Sequence, residues 1–171
     1  IRFEYIRQLQ SKAEQHLNKL SSGGEQLHLK HLSAQGLDTG LSQEQILQFY
    51  NELLPRLCEA EIAAGCCLAG PHREDMEIEI NEKPARVFAS QGQQRSAVLS
   101  LKLAEGELSQ DAFGEPPVYL LDDIMSELDK KRQGYITDAI KDRQVILTTC
   151  GNGFLESSAK KLFIEGGKIK T

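Results

Sequence analysis

The stretch VYLLDDIMSELD, Val118 to Asp129, decides how this chain is read. Four apolar residues run without a break into Asp122 and Asp123, and further acidic residues follow. A buried strand aimed at two like charges is unfavourable on its own, because neighbouring carboxylates repel each other and resist leaving water. In open α/β sheets ligands bind beyond the carboxyl ends of the strands. A phosphate-bound Mg²⁺ held there would offset the charge. Asp122 would then take the metal, and Asp123 would orient or deprotonate an attacking water. The other reading is a pair of solvated loop aspartates after a core strand. This stretch alone does not separate the two.

Upstream lies FASQGQQRSAVLSLKLAE, Phe88 to Glu105. Ala97, Val98, Leu101, Ala104 and Leu108 recur at helical spacing, so a helix is predicted from Gln93 to Leu108. Ser90, Gln91 and Gly92 precede it. The first turn of a helix offers unpaired N–H groups and a positive dipole end, which suit an anion. Gly92 lets the backbone come close, Ser90 can donate a hydroxyl, and Gln93, Gln94 and Arg95 add donors. Against this, Ser90 also suits a plain N-cap.

The rest of the chain organises around these two stretches. Arg2 to Leu20 carries an apolar stripe at Ile6, Leu9, Ala13, Leu17 and Leu20, ended by SSGG. QLHLKHL reads as a strand, followed by the loop AQGLDTG. Ser42 and Gln45 fit a capping box for a helix that Pro55 should kink or restart before it ends near Ala64. MEIEI and ARVFAS, joined by NEK, read as a hairpin. VYLLDD and QVILTT read as fully buried strands flanking a helix from Asp129 to Lys141. KLFIEGGKIKT reads as a terminal hairpin turning at Gly166-Gly167. The alternation of strand and helix predicts an α/β fold with a central sheet. Residues 1–65 are mainly helical and residues 66–171 carry the α/β pattern.

With 171 residues, 40% hydrophobic and 26% charged, the chain has the composition of an ordinary globular domain. A net charge of −5 excludes a surface basic all over, though not a local basic patch. No apolar run reaches membrane-span length, and no signal-peptide pattern opens the sequence. Cys58, Cys66, Cys67 and Cys150 form no CxxC pair and read as reduced, small buried hydrophobes. His16, His28 and His31 show no metal-like pattern and read as surface residues, with His28 and His31 on opposite sides of their strand. The chain begins at Ile1 in mid-helix, which suggests a piece of something longer.

Taken in order, GPHRED (Gly70 to Asp75), SQGQQR, a helix, LLDD, SELD and QVILTT resemble the C-terminal part of the ABC-type ATPases of chromosome maintenance, the group of the SMC proteins. Within that group the chain is most similar to the RecF family of bacterial recombinational repair proteins. The resemblance implies a P-loop NTPase fold, here the C-terminal lobe of an ABC ATPase head (66–171) with an attached, mainly helical arm subdomain (1–65). It implies that Ser90, Gln91, Gly92, Gln93 and Arg95 form the signature motif contacting ATP held by the other subunit. It also implies Asp122 as the Mg²⁺ carboxylate, Asp123 as catalytic base, Ser126, Leu128 and Asp129 as the D-loop at the dimer interface, and Thr149 or Cys150 at the switch position. His72 and Arg73 would face the nucleotide or the signature motif, the other reading being a local charge cluster of Arg73 with Glu74 and Asp75. Implied partners are gapped DNA with double-strand/single-strand junctions, a second copy in the presence of ATP, and recombination mediators such as RecR. The implied setting is the bacterial cytoplasm, in DNA replication, repair and the SOS response.

The family's Walker A loop, G-x-x-x-x-G-K-S/T, is nowhere in these residues. Gly166-Gly167-Lys168 has the wrong spacing and no following helix. ATP and Mg²⁺ are therefore expected only together with an N-terminal lobe, and the chain alone is expected to be inactive as an ATPase. Arg2, Arg7, Lys12 and Lys19 are candidate DNA contacts, and the basic run Lys130, Lys131, Arg132 sits against the helix dipole. Two alternatives stand beside this reading: a different SMC-like chromosome ATPase, and a non-catalytic DNA-binding or adaptor module.

Overall fold

The computed structural model describes residues 2–33, 36–37, 41–150 and 159–170. Most of the loop predicted at AQGLDTG lies outside them. Helix α1 (Arg2–Ser21) leads into β1 (Leu27–Leu32), and α2 spans Gln43–Ala64. Strands β2 (Asp75–Ile80) and β3 (Lys83–Pro84) and the single turn α3 (Ala85–Phe88) precede the long helix α4 (Gln91–Phe113). Then come β4 (Tyr119–Asp122), α5 (Lys130–Ile140), β5 (Val145–Thr148), β6 (Phe163–Glu165) and β7 (Lys168–Lys170). Among the described residues the strands form three small sheets rather than one central one: β1-β2-β3 antiparallel, β4-β5 parallel, and the β6-β7 hairpin.

Helix α4 is the axle of the fold because it buries two faces. Ala97, Leu101 and Ala104 join Leu9, Ala13 and Leu17 of α1 and the inner side of β1-β2 in one core. Leu99 and Leu103 join Tyr119, Leu121, Met125, Leu128 and Ile136 in a second. Each fully buried leucine contributes about 1.5–3 kcal/mol of transfer free energy. Val98, placed on the inner face by the spacing, is 51% exposed, since the second buried face is centred one residue further on. Ser96 and Ser100, also fully buried, donate their hydroxyls to the carbonyls of Gly92 (2.9 Å) and Ser96 (2.7 Å). α1 and β1 thus pack with β2 and α4 across residue 65, whereas α2 has no buried residue.

Several expectations are corrected. ARVFAS is not a strand: β3 stops at Pro84 and ARVF turns into α3. Asn81 and Glu82 take φ of 50° and 62°, a tight hairpin turn, but Ala85 alone is buried while Val87 and Phe88 face solvent. The Gln94 amide donates to the carbonyls of Ala85 (3.2 Å) and Ala89 (3.1 Å), fixing the turn onto α4. Pro55 does not interrupt α2, which runs through it. The Asn51 carbonyl, which loses its helical partner to Pro55, belongs to an exposed residue and can be hydrated. β4 and β5 are buried on one face only: Tyr119 and Leu121 point inward, while Leu120 is 73% and Ile146 59% exposed. On that open side, β4 and α4 frame a groove of about 710 Å³ lined by Val98, Lys102 and Leu120. All four cysteines are exposed, not core. His16 and His31 are buried, each only 8% exposed. Among the described residues, no helix is long and apolar enough to cross a membrane.

Candidate functional site

The structure gathers the candidate residues into two groups joined by the segment between Asp123 and Asp129. The first sits at the carboxyl end of the parallel pair β4-β5, where Asp122 lies in register with Thr148. Both aspartates are exposed. The Thr148 hydroxyl donates to the Asp122 carboxylate, and its oxygen accepts the Asp123 N–H at 3.0 Å. The Thr148 carbonyl also accepts that N–H, at 3.2 Å. Thr148 therefore ties the two aspartates together. The sequence reading looked one and two residues later, at Thr149 and Cys150, and overlooked it. The signal was present in LTT, whose first threonine is the one in strand register with the acidic tip.

Asp123 takes the left-handed conformation, φ 46° and ψ 20°. For a residue with a side chain this costs about 1–2 kcal/mol and persists only where the surroundings impose it. Here the two hydrogen bonds to Thr148 on one side and the 3-10 turn Ile124–Glu127 on the other impose it. The chain breaks sharply at the strand tip, so that Asp122 and Asp123 do not simply alternate across the sheet. An exposed carboxylate held by a hydroxyl, at the mouth of parallel strands, suits one protein ligand of a Mg²⁺ that takes its other ligands from phosphate and water. No group of three or more His, Cys, Asp or Glu side chains able to cage a metal exists among the described residues.

The second group is the start of α4. Ser90 is its N-cap, and the capping box is complete: the Gln93 N–H donates to Ser90 Oγ (3.3 Å) and the Ser90 N–H to Gln93 Oε1 (2.8 Å). Ser90 thus satisfies the cap reading, and Gln93 spends its side chain on the cap. Gln94 is held on α3 as described. Gly92 lies beside Arg132 of α5: a Cβ placed on it would stand 3.3 Å from the Arg132 guanidinium.

Between the groups, Ser126 Oγ donates to the Asp123 carbonyl (2.9 Å), and Leu128 is buried in the second core. Asp129 caps α5, its carboxylate accepting the N–H groups of Lys131 (3.0 Å) and Arg132 (2.9 Å). The Arg132 N–H is the main cause holding the Asp129 carboxyl below its ordinary range, with Lys131 N–H and both side-chain charges adding to it. Gln133, which the sequence reading did not single out, donates to the carbonyls of Met125 (2.6 Å) and Leu128 (3.0 Å) and so fixes the turn between the two groups.

His72 and Arg73 of GPHRED are engaged locally. His72 Nε2 lies 3.3 Å from the Cys67 carbonyl, to which Arg73 Nε donates at 3.0 Å, so both close the exit loop of α2. Glu74 is the buried member, its side chain 8% exposed. It meets Arg2 (2.5 Å), His31 (3.2 Å) and the Tyr50 hydroxyl (2.7 Å), joining α1, β1 and α2. Burial alone would push its carboxyl up; the hydrogen bonds from Tyr50 and His31 and the charges of His31 and Arg2 outweigh this and hold it down. Tyr50 is pushed up to about 12 by burial and by Glu74. Arg2 and Lys12 are engaged by Glu74 and by Glu107 and Asp111, respectively, which weakens them as DNA contacts.

A capped glycine-bearing helix start, an acidic parallel-strand tip and a rigid turn between them make up the C-terminal lobe of an ABC ATPase head, an α/β P-loop NTPase fold with a helical arm segment attached. No family profile matches the chain. Individual proteins do. It is 42% identical over 166 residues to the DNA replication and repair protein RecF of Ruminiclostridium cellulolyticum, covering 94% of this chain and 44% of that protein. To the RecF of Trichormus variabilis it is 44% identical over 133 residues, 75% of this chain and 35% of that protein. A solved structure of the recombination mediator protein RecF with ATP, in the RecFOR pathway, superposes with a TM-score of 0.78 at 32% identity, covering 98% of this chain and 44% of that one. Over nearly its whole length the chain is homologous to the C-terminal part of the RecF proteins, and it spans less than half of their length.

Proposed function

We propose that the chain is the signature-bearing portion of a RecF-type, ATP-dependent DNA-binding protein of recombinational repair and replication restart. The observation that carries this reading is the joint presence of the capped Ser90–Gly92 helix start and the Thr148-held Asp122-Asp123 tip in a chain homologous to RecF. In this reading Ser90, Gln91, Gly92, Gln93 and Arg95 face ATP held by a second subunit. Asp122 serves Mg²⁺, which would neutralise phosphate charge, and Asp123 acts as general base. Ser126, Leu128 and Asp129 line the interface between the two copies, and Thr149 follows the strand as the switch position beside Thr148. The left-handed Asp123 supports a functional role, because strain of this kind collects at working sites.

In this reading α2 belongs to the arm, while α1 and β1, although within residues 1–65, share the core of the lobe. The DNA partner is gapped duplex, mediators of the RecR kind assist, and the setting is the bacterial cytoplasm. The chain by itself, without a Walker A loop, does not hydrolyse ATP.

The test mixes two inactive variants of the whole protein, Ser90→Arg and Asp123→Asn. If the signature acts in trans, a mixed dimer contains one site with an intact Asp123 from one subunit and an intact Ser90 from the other. Mixing then restores part of the ATPase activity. A mixture as inactive as its components would overturn the in-trans reading.

A further inference from the structure

We propose that Arg132 is a positioning residue that locks the signature turn of α4 and the D-loop of the same subunit into one rigid face. The inference rests on the proposed function and goes beyond it, since neither Arg132 nor Gln133 belongs to the signature, strand-tip or D-loop residues named there.

Two turns of the nucleotide face are each fixed internally, one by the Ser90–Gln93 capping box and the other by Asp129 and Gln133. Their apolar undersides meet through Leu99 and Leu103 against Met125 and Leu128. At the outer end, Arg132 makes the connection. Its side chain is only 22% exposed, its Nε lies 3.6 Å from Asp129 Oδ2, and its Nη1 lies over Gly92. The guanidinium is thus anchored on the D-loop cap and laid across the signature glycine. A cation beside a helix N-terminus is unfavourable to that helix, a cost that the Asp129 contact partly offsets. The same contact explains Gly92, whose φ lies outside the positive region. What the position demands is space, because a Cβ at 3.3 Å would crowd the planar group and shift it by a few tenths of an ångström. Lysine cannot replace this function, having a flexible point charge in place of a flat fork.

The experiment uses the whole protein and follows ATP-driven dimerisation by sedimentation, with ATP affinity of the single subunit measured alongside. Wild-type dimerisation by ATP is the control; its absence would sink the proposed function and this inference with it. Given that control, Arg132→Met and Arg132→Lys are each expected to weaken dimerisation about tenfold while leaving single-subunit ATP affinity unchanged. Gly92→Ala is expected to weaken dimerisation in the wild-type background and to add little in the Arg132→Met background. Wild-type dimerisation by Arg132→Met overturns the inference, as does full additivity of Arg132→Met with Gly92→Ala. A matching loss of single-subunit ATP affinity or of thermal stability in both Arg132 variants overturns it too, by assigning Arg132 a merely structural role.

Discussion

Gly106→Ala tests the packing that brings the signature helix and the acidic strand together. On an exposed helix, the change would stabilise by about 1 kcal/mol through helix propensity. In this chain a Cβ at Gly106 would fall 1.9 Å from Tyr119 Oη and 2.6 Å from its Cζ. Tyr119 is 6% exposed and cannot simply swing away. Its hydroxyl accepts from Arg143 Nη1 at 2.7 Å, with the Arg143 guanidinium 5.4 Å from the ring centre. Overpacking of this kind costs about 1–3 kcal/mol, and the contact is short enough for the upper end. Losing the charged hydrogen bond adds about 1.5 kcal/mol. After the propensity gain, a net loss of about 1.5–3.5 kcal/mol remains, a fall in Tm of about 3–14 °C for a chain of this size. Thermal unfolding followed by circular dichroism measures it. In the Tyr119→Leu background, which removes the far end of the ring, the same glycine change should be neutral or stabilising. A Gly106→Ala chain as stable as its parent would refute the account of how α4 meets β4.

Other outcomes follow from the same structure. Glu74→Ala should cost about 3 kcal/mol in chemical denaturation, near the low end for a broken buried pair because Arg2 is half exposed. Since the Glu74 carboxyl is held down in the folded state, its contribution is complete above the unfolded value near 4.5 and disappears as pH falls through the folded one; Glu74→Gln should flatten that acid limb. His16 is held down mainly by burial, against the pull of Glu107, and its neutral ring donates to Glu107 (3.1 Å) and accepts from Tyr135 (2.7 Å). Its contribution is therefore full above the unfolded value of 6.5 and erodes as pH falls below it, so Tm should drop on acidification below that value and the drop should shrink in His16→Gln. Asp123→Gly should keep or raise stability by up to about 1 kcal/mol by relieving its positive φ while abolishing ATP hydrolysis of the whole protein, measured by phosphate release.

Features written in local chemistry were legible before the coordinates. Ser42 and Gln45 spell a capping box, Ser90 an N-cap, and VYLLDD, a helix and QVILTT an α/β alternation; all three stand in the structure. What escaped depends on partners distant in sequence. ARVF alternates like a strand, yet Pro84 and the grip of Gln94 turn it into helix. His16 and His31 look like surface residues until Glu107 and Glu74 arrive from 91 and 43 residues away. Thr148 differs from Thr149 only through strand register, and Arg132 meets Gly92 only once α5 has docked.

Sedimentation of the whole protein carrying Ser90→Arg, with and without ATP, tests the central claim most directly. A signature that acts on nucleotide held by another subunit predicts unchanged ATP affinity per subunit and no ATP-driven dimer. A variant that dimerises like the wild type, or one that loses ATP as a lone subunit, would contradict it.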